Sequence, residues 1–152
     1  MLTKKLHAPD LTLRPPRSPR VRLGGYVILP RCLDKARATL AGTNGEYSFD
    51  CPLDQHFLRF AGIKAAELKK QIALGKGDED ILKWINQHSK TKPAAWEIVQ
   101  WSAHQEQRVA GDLETRKYFN TYLERLSRTR DDIFTWFDVL DLDDYVSFGG
   151  KA

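Results

Sequence analysis

Residues 29–63 read LPRCLDKARATLAGTNGEYSFDCPLDQHFLRFAGI, and the punctuation of this stretch decides the fold. Pro30 lacks the N–H that a helix leaves unused in its first turn, and Gly42 suits the left-handed residue just past a helix end. Leu29, Leu33, Ala36 and Leu40 recur at steps of four, three and four, which makes one apolar stripe. The pattern predicts a helix over residues 30–40. Gly42-Thr43-Asn44-Gly45 is turn chemistry. Glu46, Tyr47, Ser48 and Phe49 are expected to run extended, with Tyr47 and Phe49 on one face. Pro52 opens a second helix over 52–61, with Leu53, Phe57, Phe60 and Ala61 inward and Gly62 as its stop.

The same signals continue toward the C-terminus. A third helix is expected over about 64–74, with Leu68 and Ile72 inward and Gly75 and Gly77 after it. Asp78 caps a fourth, where acids in the first turn suit the helix dipole and Ile81, Leu82 and Ile85 share a side. Pro93 opens a fifth, to about residue 109, with Trp96, Val99 and Ala103 on one face and Ile98 and Trp101 widening it. Asp112 caps a sixth, marked by Phe119, Tyr122, Leu123 and Leu126. Thr129 with Asp131 and Asp132 starts a seventh, with Ile133, Trp136, Phe137 and Leu140 inward. Seven short amphipathic helices on short loops predict one compact all-α bundle over 29–148, followed by a tail at 149–152.

Residues 1–28 have no helical period. Pro9, Pro15, Pro16 and Pro19 remove backbone donors and favour extended neighbours. An extended basic arm is expected, ending in a short strand at 26–29. Residues 1–37 hold nine bases against two acids, whereas residues 131–152 hold six acids against one base. Opposite charges attract at short range and salt weakens the attraction. The plainer reading lays the arm over the acidic end, in the same subunit or in a second copy, which makes a homo-oligomer conceivable. The sharper reading is a nucleic-acid arm, with Arg14, Arg17, Arg20 and Arg22 tracking phosphates.

With 41% hydrophobic and 29% charged residues, the chain has the balance of a soluble globular domain. No apolar run nears the ~20 residues that cross a bilayer, and no signal-peptide core is present. No membrane partner is expected, and the cytoplasm is the expected compartment. Cys32 and Cys51 read as free thiols.

For chemistry, a metal site is not expected, because Cys51 and His56 lack the paired short spacing of zinc ligands and His7, His88 and His104 are scattered. No cofactor motif is present, since the 42–45 turn lacks the following Lys-Ser or Lys-Thr of a phosphate loop. Cys51 at the start of the second helix, where the dipole favours a thiolate, with His56 just over a turn on, is the only local nucleophile and base pair. The plainer reading is a small residue at a cap. Asp34, Glu46, Cys51 and His56 are thus the catalytic candidates. Arg31, Asp34, Lys35, Arg37, Glu46, Tyr47 and Asp54 are the ligand-binding candidates if the first two helices pack antiparallel. The plainer reading makes Arg31, Asp34 and Arg37, spaced by three, exposed ion pairs. Phe60-Ala61-Gly62-Ile63-Lys64 has the outline of a helix-hairpin-helix turn without its second glycine, and a helix stop explains it better.

Leu29-Pro30-Arg31, Asp34-Lys35-Ala36-Arg37-Ala38, Gly45-Glu46-Tyr47, Cys51-Pro52-Leu53-Asp54, Phe57-Leu58 and Phe60-Ala61-Gly62-Ile63 together resemble a bacterial family of small stand-alone proteins catalogued as a domain of unknown function. The resemblance runs from about residue 27 to 145. It implies a bacterial, cytosolic protein and carries no catalytic role across. The leading expectation is a binding or interaction module for a small anionic ligand near the first two helices. The alternatives are a small hydrolase or transferase with an acid–base or Cys-His site, and nucleic-acid binding through the arm. Whether the protein is an enzyme is left open.

Overall fold

A computed structural model describes residues 4–152; the first three residues of the expected arm lie outside the described residues. Seven helices follow one another: α1 (Leu29–Ala41), α2 (Pro52–Ala61), α3 (Ala65–Ala73), α4 (Asp78–His88), α5 (Ala95–Gln107), α6 (Leu113–Leu126) and α7 (Trp136–Ser147). Among the described residues there is no strand, only one isolated bridge between Leu23 and Tyr26. The all-α bundle read from the sequence is the architecture that forms.

α1 lies at the centre. All ten of its residues from Leu29 to Ala38 are buried, charged ones included. Its apolar side, Leu29, Cys32, Leu33 and Ala36, joins Phe57 and Leu58 of α2, Leu68 and Ile72 of α3, Ile81 and Ile85 of α4 and Phe137 of α7 in the main core. Each Leu, Ile and Phe among them contributes roughly 1.5–3 kcal/mol when removed from water. A second cluster, Phe119, Ile133, Val139 and Leu142, seals α6 against α7. The seam between the two clusters positions the site described below.

Both glycine stops act as expected. At the end of α1 the Gly42 N–H reaches Thr39 O and the Thr43 N–H reaches Ala38 O; at the end of α2 the Gly62 and Ile63 N–H groups reach Arg59 O and Leu58 O. Each is a Schellman closure around a left-handed glycine. At Gly62 the backbone of Thr91 also passes close by: a Cβ there would lie 2.9 Å from Thr91 N, whereas one at Gly42 would meet nothing.

Four expectations need correction. The strand at 26–29 does not form; Tyr26, Val27 and Ile28 are buried, and Ile28 takes φ 73 to turn the chain into α1. That conformation is strained for a β-branched residue, and its N–H bond to Pro19 O with complete burial holds it. Residues 46–49 form no extended run: Glu46 and Tyr47 belong to a turn closed by Tyr47 N–H to Asn44 O, and Phe49 begins the next turn. On α5, Trp96 is 63% exposed and Val99 also faces out. Trp101 stacks on Phe60 at 4.7 Å, and the Ser102 hydroxyl donates to Gly25 O while accepting from Val27 N, so these anchors, rather than the Trp96–Val99 stripe, set the helix's rotation. Finally, α7 starts at Trp136, not near Thr129. Thr135 caps it and Asp138 returns the bond, while the Ser127 hydroxyl accepts from Thr129 and Arg130 N–H and keeps that segment as a turn.

The arm is strapped to the body by charge. Arg17 forks onto Asp34 (2.9 Å) and Asp78 (2.7 Å), Arg20 reaches Asp138 and Asp141, and Arg22 meets Glu106. The Leu11 N–H bonds Thr43 O, and buried Leu11 plugs the turn after α1.

Two outcomes follow from this packing. Gly62→Ala should destabilise by about 1–3 kcal/mol and by more than Gly42→Ala, since only the former adds a backbone clash to the unfavourable φ; equal costs in urea titrations would contradict the contact with Thr91. Asp78 is pushed up by burial, but its bonds from Arg17 and Arg37 outweigh this and hold it below its ordinary 3.8. A depressed carboxylate stabilises the fold above its unfolded value and loses that contribution as pH falls through the folded one. Arm cleavage by an acid-tolerant protease should therefore rise below about pH 4, and in Asp78→Asn it should already be high at pH 5.

Candidate functional site

The four charged residues of α1 leave the helix on two sides. Arg31 and Lys35 are four apart and point one way; Asp34 and Arg37 are three apart and point another. Each finds a partner distant in sequence. Arg31 makes a two-pronged contact with Asp144 of α7, at 2.7 and 3.1 Å, with both side chains nearly sealed from water. Lys35 Nζ lies 2.9 Å from Asp54 Oδ1 of α2 and donates to Cys51 Sγ at 3.1 Å. Asp54 is completely buried. Its Oδ2 accepts from the Asp50 N–H, and no well-angled hydrogen bond reaches its Oδ1, so the ammonium meets that charge through the ionic contact alone. Asp34 accepts from the backbone and guanidinium of Arg17, and Arg37 meets Asp78 at 2.7 Å. The exposed helical ion pairs of the plainer sequence reading are thus replaced by buried or half-buried long-range ones; Arg37 and Asp34 remain 4.0 Å apart.

On the Arg31–Lys35 side a cleft of about 940 Å3 opens between the two hydrophobic clusters. Arg31 and Lys35 of α1, Glu46, Tyr47 and Ser48 of the turn, Cys51 at the cap of α2 and Leu53 within it form one wall; Tyr118 and Tyr122 of α6 and Leu140, Asp143 and Phe148 at α7 form the other. The Tyr47 hydroxyl donates to Asp144 at 2.7 Å, and the Arg31 guanidinium lies 5.4 Å from the centre of the Tyr47 ring. The Tyr122 hydroxyl donates to Asp143. Burial first, then the adjacent carboxylate, pushes both phenols well above their ordinary value, so both stay neutral donors.

Of the ligand-binding candidates, Arg31, Lys35, Glu46 and Tyr47 line this cleft, and Asp54 stands behind Lys35. Asp34 and Arg37 do not. They line a smaller pocket of about 520 Å3 under the arm with His7, Arg14 and Arg17. Of the catalytic candidates, Glu46 and Cys51 share the cleft, while Asp34 and His56 are elsewhere. His56 is half-buried on α2, and burial first, then the positive charges of Arg108 and Arg59 and the neighbouring His104, hold its imidazole below its ordinary value. The group against Cys51 is Lys35, not His56. Cys51 is the α2 cap residue, as expected, but its side chain bonds none of the helix N–H groups. Cys32 is fully buried and its thiol is pushed well above its ordinary value, by burial first and then by Asp54. Among the described residues no three of His, Cys, Asp and Glu gather to hold a metal ion, and no helix is long and apolar enough to cross a membrane.

A family model described as "Domain of unknown function (DUF5069)" matches residues 13–146. The chain belongs to this family. The matched span of DUF5069 contains the arm from Leu13 on, Asp144 and every cleft residue named above except Phe148. No curated protein matches the chain.

The sequence reading missed Asp143, Asp144, Tyr118 and Tyr122. The sequence pattern puts the acids in an acidic C-terminal end and Tyr122 in the inward stripe of α6, and it does not single out Tyr118. A signal was present: Asp144 follows buried Phe137 by seven residues, which places a carboxylate on the inward stripe of α7. Asp144→Ala leaves the Arg31 guanidinium buried without its partner and should cost about 3–5 kcal/mol, whereas Arg31→Met with Asp144→Leu should recover most of the loss. Denaturant midpoints for the three proteins check this, and a single variant as stable as the parent would show that the pair is not buried in solution.

Proposed function

We propose that this protein is a small-molecule-binding module whose ligand occupies the cleft between the α1–α2 and α6–α7 walls. The observation that carries the reading is convergence: Arg31, Lys35, Glu46, Tyr47 and Cys51, from a helix, a turn and a second helix, face aromatic side chains of α6 and α7 across one concave seam. Seams between packed units, mostly apolar with a few directed polar groups, are where ligands bind.

Charge bookkeeping refines the ligand. The cations Arg31 and Lys35 share the cleft with the carboxylates Glu46 and Asp143, and each cation also has a carboxylate of its own at Asp144 or Asp54. The site is balanced. A compact anion gains little there, since its approach must compete with partners already in contact. The tyrosines and Phe148 offer ring surfaces, and the hydroxyl, carboxylate and ammonium groups offer direction. A neutral ring compound bearing hydroxyl or amide groups fits better than the anion expected from the sequence.

The ion pairs of the arm bear on the other readings. Arg17, Arg20 and Arg22 each meet carboxylates of the same chain, which removes most of the charge a nucleic acid would need. The acids that an arm exchanged between copies would seek are likewise met from within, so the proposal calls for no second subunit. Two free thiols suit a reducing compartment such as the cytoplasm.

Titrating isotopically labelled protein with a set of neutral phenols, nucleosides and sugars tests the reading. Binders should shift the amides of Glu46, Tyr47, Ser48, Cys51 and Tyr118, and Ser48→Trp, which fills the cleft, should abolish those shifts while leaving the fold intact. Binders mapping only to the arm-side pocket at His7 and Arg14, or to the outer face of α5, would overturn it.

A further inference from the structure

We infer that Cys51 is a nucleophilic thiol that forms a covalent bond with soft electrophiles entering the cleft, with Lys35 as the residue that holds its sulfur ready. The inference rests on the cleft reading and adds a reaction to it. Three independent features meet at this sulfur. It lines a cleft large enough for a small molecule and is only partly covered. It accepts a hydrogen bond from an ammonium that is itself 3% exposed. It sits at the N-terminus of α2, where the helix dipole is positive. Together they put an oriented, reachable sulfur beside a fixed ammonium at the wall of the cleft.

The supporting carboxylate matters as much as the ammonium. Asp54, completely buried and 2.9 Å from Nζ, holds the Lys35 side chain in place against the sulfur. Asp54 in turn is fixed by the Asp50 N–H. The chain Asp54–Lys35–Cys51 resembles the base–orienter logic of nucleophilic sites, with a cation in place of a general base.

The electrophile class is an alkene conjugated to a carbonyl. The Cys51 thiolate attacks the β-carbon and the C–S bond forms. The alkene π pair moves onto the carbonyl as an enolate, and the α-carbon takes a proton from solvent. The thiol proton released at the outset balances it. Net, S–H adds across C=C, nothing is oxidised, and no group leaves. The neutral cleft and its aromatic wall suit such a substrate.

The folded protein carries its own control, because Cys32 is sealed in the core. Alkylation by N-ethylmaleimide and by acrylamide at pH 7, followed by intact-mass and peptide mass spectrometry, reads both thiols. The inference expects a single adduct at Cys51, formed at least tenfold faster than on N-acetylcysteine. Replacing both buried charges, with Lys35→Met and Asp54→Asn together, avoids stranding either one and should lower the rate to that of the free thiol. Lys35→Arg, which keeps the cation, should stay within about threefold of the parent; a purely structural role for Lys35 would not separate the two variants. A parent protein whose Cys51 reacts no faster than N-acetylcysteine would overturn the inference on its own. The ligand shifts described above would survive that result, so failure of the reaction and failure of the cleft are distinguishable.

Discussion

The structure depends on a helix that buries its polar side as well as its apolar one. An ordinary amphipathic helix covers one face and wets the other. α1 has no wet face over Leu29–Ala38. Taking four charged groups out of water costs several kcal/mol each unless each gains a partner. The partners come from the N-terminal arm, from α2, from α4 and from α7: Arg17, Asp54, Asp78 and Asp144. The constraint therefore fixes the tertiary arrangement. Moving any of these segments away leaves a charge behind.

The same constraint makes the cleft. Arg31 ties α1 to α7 through Asp144, which holds the α6–α7 pair at a set distance from the main core, and Tyr47 joins the same carboxylate. Because α7 reaches the main core through Phe137 and this polar tie rather than through a broad apolar interface, the two clusters stay separate. The gap left over is the cleft, and Arg31 and Tyr47 of the tie line it. A site built on rigid helices joined by ion pairs presents its groups in fixed positions, which lowers the ordering cost of binding.

Much of this was legible in residues 29–63. Pro30, Gly42, Pro52 and Gly62 bounded the first two helices because those residues act on the backbone locally, whatever surrounds them. Of the seven ligand-binding candidates, helical spacing and a turn bring Arg31, Lys35, Glu46 and Tyr47 to the cleft, whereas Cys51 entered the reading only as a partner for His56. What was not legible depended on distant partners. Asp34 and Arg37 look like a helical pair, but the arm and α4 claim them. His56 sits near Cys51 in sequence, but its face of α2 turns toward Arg108. Trp96 and Val99 read as core because apolar spacing says nothing about which face a buried serine will anchor. Thr129 with its acids resembles a helix start, yet Thr135 with Asp138 supplies the better capping box.

The central claim is that the charges of α1 are truly interior, and the pair with the least exposure tests it most directly. A double-mutant cycle on Lys35 and Asp54, read from denaturant unfolding of the parent, both single variants and the double, gives their coupling free energy. The account predicts a coupling of about 2 kcal/mol or more. A coupling below about 0.5 kcal/mol, the value of a solvent-exposed pair, would contradict it.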